Sequence, residues 1–253
     1  MIVIEDKILA DAPHGFFGIT GGVSTGDYAS LNCSYAQEDA RDNVTENRAR
    51  VLTRLSTAVP VLQTMHQVHG TDVAVVTEAL PEAPAADALV TITPHLALGV
   101  LTADCVPVLL ADTDNGVIGA AHAGWPSAFG GIVTKTVQVM RQQGADIAKI
   151  KAVIGPSIRQ ESYEIDRDYY NRFLRQSAEN EALFQKIAGK PDHFLFDLAG
   201  YVLRQTAAAG VTQISDAGED TCAQPEKFFS YRRHMLRHGH GNCGRQISAI
   251  ALS

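Results

Sequence analysis

The chain has 253 residues, 45% of them hydrophobic and 19% charged, with a formal net charge of −7. This is ordinary globular composition, enough for one large domain or two small ones, and its acidic balance, without a long basic stripe, gives no electrostatic basis for binding nucleic acid. The start Met1-Ile2-Val3-Ile4-Glu5-Asp6 lacks the basic residues and apolar run of a signal peptide, and no stretch approaches 18 uninterrupted apolar residues, so a cytoplasmic protein with no membrane partner is expected.

In chain order, residues 14–24 form an apolar run that meets Gly21-Gly22 and read as strand then loop. Residues 28–32 continue as an ordered loop or short strand. Residues 43–56 have helical spacing: Val44, Val51, Leu52 and Leu55 share an apolar face. Asn43, with Glu46 three residues on, predicts a relaxed capping box. Residues 60–67 read as a strand that delivers His69, and 72–77 as another. After a Pro/Ala loop at 79–86 come four Val/Leu/Ile-rich segments, 88–92, 97–102, 106–111 and 117–121. They are too short for helices and read as buried strands.

The last two segments carry the sharpest local inference. Asp112-Thr113-Asp114-Asn115-Gly116 is turn chemistry. A hairpin with Asp112 opposite Val117 pairs Pro107 with His122. It puts Cys105 at the same open end, roughly 5–8 Å from His122 by cross-strand and diagonal spacing. A slip of one residue would flip the faces, and nothing local brings His69 to join them. Farther on, residues 130–144 read as a helix stopped at Gly144, and 150–154 as a strand. Residues 166–175, 179–187 and 197–209 read as helices, and 211–214, 228–231 and 246–252 as strands. There is no Gly-x-Gly-x-x-Gly or phosphate loop, so a dinucleotide fold is not indicated. The interleaving predicts an α/β chain, with no linker dividing residues 1–253.

His69, Cys105 and His122 are the candidate metal ligands. Two imidazoles and a thiolate suit zinc, and three protein ligands leave a coordination position open for chemistry. Each residue alone has a blander reading: a satisfied structural histidine, an inert core thiol, or a cysteine nucleophile with His122 as its base. Asp104, beside Cys105, is a candidate acceptor for the N–H of a ligand histidine. The cysteines at 33, 105, 222 and 243 include no Cys-x-x-Cys pair, which argues against a structural zinc ribbon. Late in the chain, Arg232, Arg233, Arg237 and Arg245 cluster with His234, His238 and His240, as a local anion site or a solvated charged surface. The run Phe228-Phe229-Ser230-Tyr231-Arg232-Arg233 suits a planar base with an anionic group, or a packed strand followed by a solvated turn. Trp125 either packs or lies flat against a bound ring.

Ten motifs then appear in order. They are Gly21-Gly22-Val23-Ser24, Ser30-Leu31-Asn32, Glu46-Asn47-Arg48, Gln67-Val68-His69-Gly70, Ala103-Asp104-Cys105-Val106-Pro107, His122-Ala123-Gly124-Trp125, Gly155-Pro156-Ser157-Ile158, Tyr163-Glu164, the 228–233 run and Gly244-Arg245. From about residue 14 to the C-terminus, the chain resembles the YfiH family, described both as multicopper polyphenol oxidoreductase laccases and as purine nucleoside phosphorylases. The resemblance implies a single-domain α/β/β/α sandwich with mixed sheets. It implies a zinc held by His69, Cys105 and His122 as the catalytic centre, with copper as the alternative metal. The implied reactions are phosphorolysis of adenosine, inosine and methylthioadenosine and deamination of adenosine, so purine nucleosides and phosphate are the expected partners. Laccase-type oxidation and an editing role on cell-wall precursors are the alternatives. Asn32, Arg48, Phe229, Ser230, Arg232 and Arg233 are the candidates for binding substrate or phosphate, with Arg48 and the Arg232/Arg233 pair as the anion site. The chain departs from the family pattern at Ile19 and at Pro126, where relatives often carry basic residues.

Overall fold

The computed structural model describes residues 1–56 and 58–252. Among them the chain runs β1 (Val3–Ile4), β2 (His14–Phe17), α1 (Arg41–Leu55), β3 (Val61–Gln63), β4 (Val73–Val75), β5 (Ala88–Thr91), β6 (Leu96–Thr102), β7 (Val106–Asp112), β8 (Val117–Ala123), α2 (Trp125–Phe129), α3 (Ile132–Gln142), β9 (Lys151–Ile154), β10 (Glu164–Asp166), α4 (Arg167–Gln176), β11 (Phe184–Ile187), β12 (Lys190–Phe196), α5 (Leu198–Ala208), β13 (Gln213–Asp216), α6 (Tyr231–His238) and β14 (Gln246–Ala251). The strands form a six-stranded sheet, β13-β9-β7-β8-β5-β4, a five-stranded sheet, β1-β2-β14-β6-β3, and a small sheet, β10-β12-β11. Both large sheets are mixed, with β4/β5, β9/β13 and β3/β6 parallel and their other pairings antiparallel.

The β7–β8 hairpin shows why the layers stack. Every residue of both strands is buried, as a strand covered on two faces requires. Side chains alternate across the sheet. Val108 and Leu110 join Val133, Val137 and Met140 of α3 and Val202 of α5. Leu109 and Ala111 turn the other way and meet Phe16, Leu98, Val100 and Ile250 of the five-stranded sheet. That sheet's far face presents Phe17, Ile247 and Ala249 to Val51 of α1. The result is an α/β/β/α sandwich of mixed sheets. None of the described helices is long and apolar enough to cross a membrane.

Three local expectations are corrected. The first helix starts at Arg41 with Ala40 as its N-cap and no side-chain cap bond; Asn43 lies inside the first turn, and Glu46 pairs instead with Arg50 at 2.6 Å. Residues 179–187 are not one helix but a 3-10 turn at Ala178–Leu183 followed by β11. Phe184 packs on Phe196 of β12 with ring centroids 4.6 Å apart, and Ala188-Gly189 makes a two-residue hairpin loop, with Gly189 at φ 76°. Tertiary aromatic contacts there outweigh the helical propensity of Ala-Glu-Asn-Glu-Ala-Leu. Finally, residues 228–230 are not in a strand, and Tyr231 opens α6. Ser230 caps that helix by accepting from the Arg233 amide at 3.1 Å.

Candidate metal centre

The hairpin has the register that its turn residues imply: Asp112 opposes Val117 and Pro107 opposes His122. Asp112 fixes the turn by accepting from the Asn115 amide at 3.2 Å and from its side chain at 2.7 Å, and Gly116 takes φ 65°. Cys105, one residue before β7, therefore sits at the open end beside His122.

His69 arrives through Asp87, which the sequence offers only as a candidate catalytic carboxylate paired with Asp104 and gives no part in the metal centre. The β5–β8 pairing sets Ala88 opposite Ala121, which places Asp87 next to His122. The Asp87 carboxylate is fully buried and collects four donors. These are the amides of Val68 at 3.2 Å, His69 at 3.0 Å and Gly70 at 2.6 Å, and the Nδ1–H of His122 at 2.8 Å. One carboxylate thus binds the His69 loop to the His122 strand, and holds His69 in the left-handed region at φ 56°. Gln67 secures the same loop to β6 by exchanging two hydrogen bonds with the Leu101 backbone, at 2.8 and 2.9 Å. Nothing in sequence spacing signals these pairings. The nearest hint is that Asp87 abuts a buried strand, where an ionised carboxylate needs donors.

The ligand atoms of His69, Cys105 and His122 all lie within 4.8 Å of one another. The Cys105 Sγ is 3.8 Å from the His69 Nε2, and the two imidazoles meet edge-on with centroids 4.8 Å apart. Gly124 permits this approach: a Cβ there would stand 2.6 Å from the His69 Cδ2 and 3.2 Å from the Cys105 Sγ. The donor set fits a metal ion. Asp87 occupies the His122 Nδ1 and leaves Nε2 for the metal, the usual carboxylate–histidine arrangement. Burial alone would raise the Cys105 thiol, but the adjoining His122, and then His69, bring it down to about 6. Burial likewise disfavours an imidazolium, yet Cys105 and Asp87 push His122 up to about 9. The two residues form a thiolate–imidazolium pair, and a cation binding at the His122 Nε2 displaces one proton. Burial also opposes ionisation of Asp87, but the bonds from His122 and from the Gly70 and Val68 amides hold its carboxyl below the usual range.

The trio forms one wall of a cavity of about 610 Å³, whose other walls include Gln67, Trp125, Tyr163, Tyr231, Arg232 and Arg245. Asp104 does not accept from a ligand histidine. Its buried carboxylate, at φ 96°, takes the Thr221 hydroxyl and the Arg232 amide, each at 2.7 Å, so it fastens the Cys105 segment to the start of α6. Burial pushes its carboxyl upward despite these donors. Asn32 is also fully buried and off the cavity wall; its Oδ1 accepts from the Arg245 amide at 3.0 Å. Asp104 and Asn32 thus hold the backbones of the two arginines that do face the cavity.

The remaining candidates divide. Arg232 is on the wall, lying over the Tyr163 ring at 5.3 Å and bonding the Glu164 carbonyl at 2.8 Å. Arg233 points away and donates to the carbonyls of Thr221, Cys222 and Phe228. Arg48 bonds the Cys33 carbonyl at 2.8 Å and covers the Tyr35 ring at 4.3 Å, so it lies outside the cavity lining. Phe229 packs with Ala103 and Cys243, and Ser230 is the α6 cap. Trp125 packs on Tyr169, with centroids 4.9 Å apart, and also lines the cavity. Neither Ile19 nor Pro126 is on the cavity wall; Pro126 fills the first turn of α2.

The family model described as multi-copper polyphenol oxidoreductase laccase matches residues 13–253. A Deinococcus radiodurans protein named purine nucleoside phosphorylase is 40% identical over 240 residues, covering 95% of this chain and 89% of that protein. A crystal structure of a Neisseria meningitidis protein of the DUF152 family superposes with a TM-score of 0.88 at 31% identity, covering 100% of this chain and 98% of that one. The crystal structure of Bacillus licheniformis YfiH gives 0.87 at 30% identity, over 97% and 94% of the two chains.

Proposed function

The chain belongs to the YfiH family of multi-copper polyphenol oxidoreductase laccases, and from that premise we propose that it is a zinc-dependent purine nucleoside phosphorylase that also deaminates adenosine. The carrying observation is the convergence of His69, Cys105 and His122 on the wall of a cavity that also presents Arg232 and Arg245. The name borne by its relatives supports the phosphorylase reading. Adenosine, inosine and methylthioadenosine are the proposed nucleosides.

In phosphorolysis a phosphate oxygen bonds to the anomeric carbon of the ribose as the carbon–nitrogen bond to the purine breaks. Arg232 and Arg245 are the groups that gather the phosphate, since guanidinium matches its oxygens in geometry and charge. Each spends only Nη1 on protein acceptors among the described residues, which leaves the rest of the fork for an anion. Tyr163, Trp125 and Tyr231 supply aromatic surface for the purine. A zinc ion held by the trio supplies Lewis acidity and a readily deprotonated water, the chemistry that ring deamination requires. The role of Asp87 is positional: it fixes the tautomer of His122 and the place of His69. Four cysteines without disulfides accord with the proposed cytoplasmic setting, where thiols stay reduced.

The family's description also supports a second reading, a copper-dependent phenol oxidase. Two imidazoles and a thiolate accept copper, but they provide for one ion rather than a cluster. Products separate the readings. Zinc-loaded protein is incubated with adenosine, with and without phosphate, and copper-loaded protein with a phenol under air. Adenine that forms only with phosphate supports phosphorolysis, and inosine supports deamination. Phenol oxidation with neither purine product supports the oxidase and removes the first reading.

A further inference from the structure

On the other side of α6 from the main cavity lies a second group of histidines that the proposed reaction does not use. His234 and His238 are four residues apart and so share a face of α6. Gly239, at φ 75°, ends the helix and turns the chain back, which returns His240 to the same place. Ring centroids are 4.4 Å apart for His234 and His238, 4.9 Å for His234 and His240, and 6.0 Å for His238 and His240. Two imidazoles bonded to one tetrahedral ion at about 2.0–2.1 Å have centroids about 5 Å apart, in the middle of that range.

His234 provides a second, independent sign. It is 9% exposed, and its Nε2 is buried without a hydrogen-bond partner. The nearest carboxylate oxygen, the Asp27 Oδ2, is 3.9 Å away. That is too long for a hydrogen bond but close to the roughly 3.4 Å that separates a nitrogen and an oxygen bound to one tetrahedral zinc. Burial lowers the His234 imidazole's proton affinity, which favours the neutral form that ligates. His238 and His240 are exposed; shared binding requires their rings to turn toward the ion, since among the described residues only His69, Cys105 and His122 already hold their ligand atoms together. The His240 Nδ1 accepts only a long contact, 3.4 Å, from the Asn242 amide.

We propose that His234, His238 and His240, with Asp27 as a fourth ligand, form a second site for a divalent transition metal, separate from the His69–Cys105–His122 centre. Its ligands are nitrogen and oxygen only, so it suits zinc, nickel or cobalt and lacks the thiolate of the first site. The ion would tie the end of α6 to the 3-10 turn at Gly26–Tyr28, and would fix the segment that leads from His240 to Arg245 on the cavity wall.

The test is a cobalt titration of the full-length, metal-stripped protein, followed by absorption. Two equivalents are expected. One carries a thiolate-to-cobalt charge-transfer band and disappears in Cys105→Ser. The other shows only d–d bands and disappears in the His238→Asn/His240→Asn double variant, which keeps the charge-transfer band. His240→Asn alone, a change at an exposed ring, should weaken the second equivalent and serves if the double variant misfolds. A single equivalent in the unaltered protein, or a second one that persists undiminished in the histidine variants, overturns the proposal.

Discussion

At the residue scale the candidate metal centre depends on Asp87 as much as on its three candidate ligands. An asparagine there offers one acceptor oxygen where four donors now converge. Asp87→Asn is expected to weaken zinc binding by roughly 10–100-fold, measured by competition with a chromophoric chelator, while the circular dichroism spectrum stays unchanged. The acid–base state of the ligands sets a second expectation. Cys105 is already a thiolate above about 6, whereas His122 keeps its proton to about 9. Zinc affinity should therefore rise with pH across that interval, with close to one proton released per ion; calorimetry in buffers of different ionisation enthalpy counts that proton. The ligand types could be read from three motifs, but Asp87 could not. Its partners lie 17 to 35 residues away, and only the β5–β8 register brings them within reach.

At the scale of elements, the β7–β8 hairpin was legible because its information is local: turn residues, two apolar runs and a register that follows from both. Asp112→Ala tests that dependence. It leaves the Asn115 and Asp146 amides, now bonded at 3.2 and 2.7 Å, without their acceptor. It should cost about 1–3 kcal/mol of stability, read from denaturant unfolding. The segment at 179–196 was not legible, because Pro191 disguises β12 and the aromatic contacts that favour β11 over a helix come from distant residues. Helix α6 was misread for a similar reason. Its cap, Ser230, sits in an aromatic run that looks like a strand, and its second anchor, Asp104, is 128 residues away. The placement of α6 moves the proposed anion site from Arg48 and the Arg232/Arg233 pair to Arg232 with Arg245. Arg245→Ala is thus expected to raise the KM for phosphate several-fold more than the KM for adenosine, whereas a purely structural role would move stability and leave that ratio alone.

Over the whole molecule, two sheets packed face to face leave the ends of their strands to build the site. Cys105 leads into β7, His122 closes β8, Asp87 precedes β5, Arg245 precedes β14, and the His69 loop is pinned to the end of β6 by Gln67. These distant stretches of sequence therefore meet at one rim, and composition could not have shown where. The proposed function requires that one ion held jointly by His69, Cys105 and His122 supports cleavage of a purine nucleoside by phosphate. The most direct measurement is adenine release from adenosine and phosphate by metal-stripped protein as zinc is added back, with Cys105→Ala run in parallel. No release is expected without zinc, full release once the thiolate-containing site is filled, and none at any zinc concentration from the variant. Undiminished release by the stripped protein, or by Cys105→Ala, would contradict the proposed function.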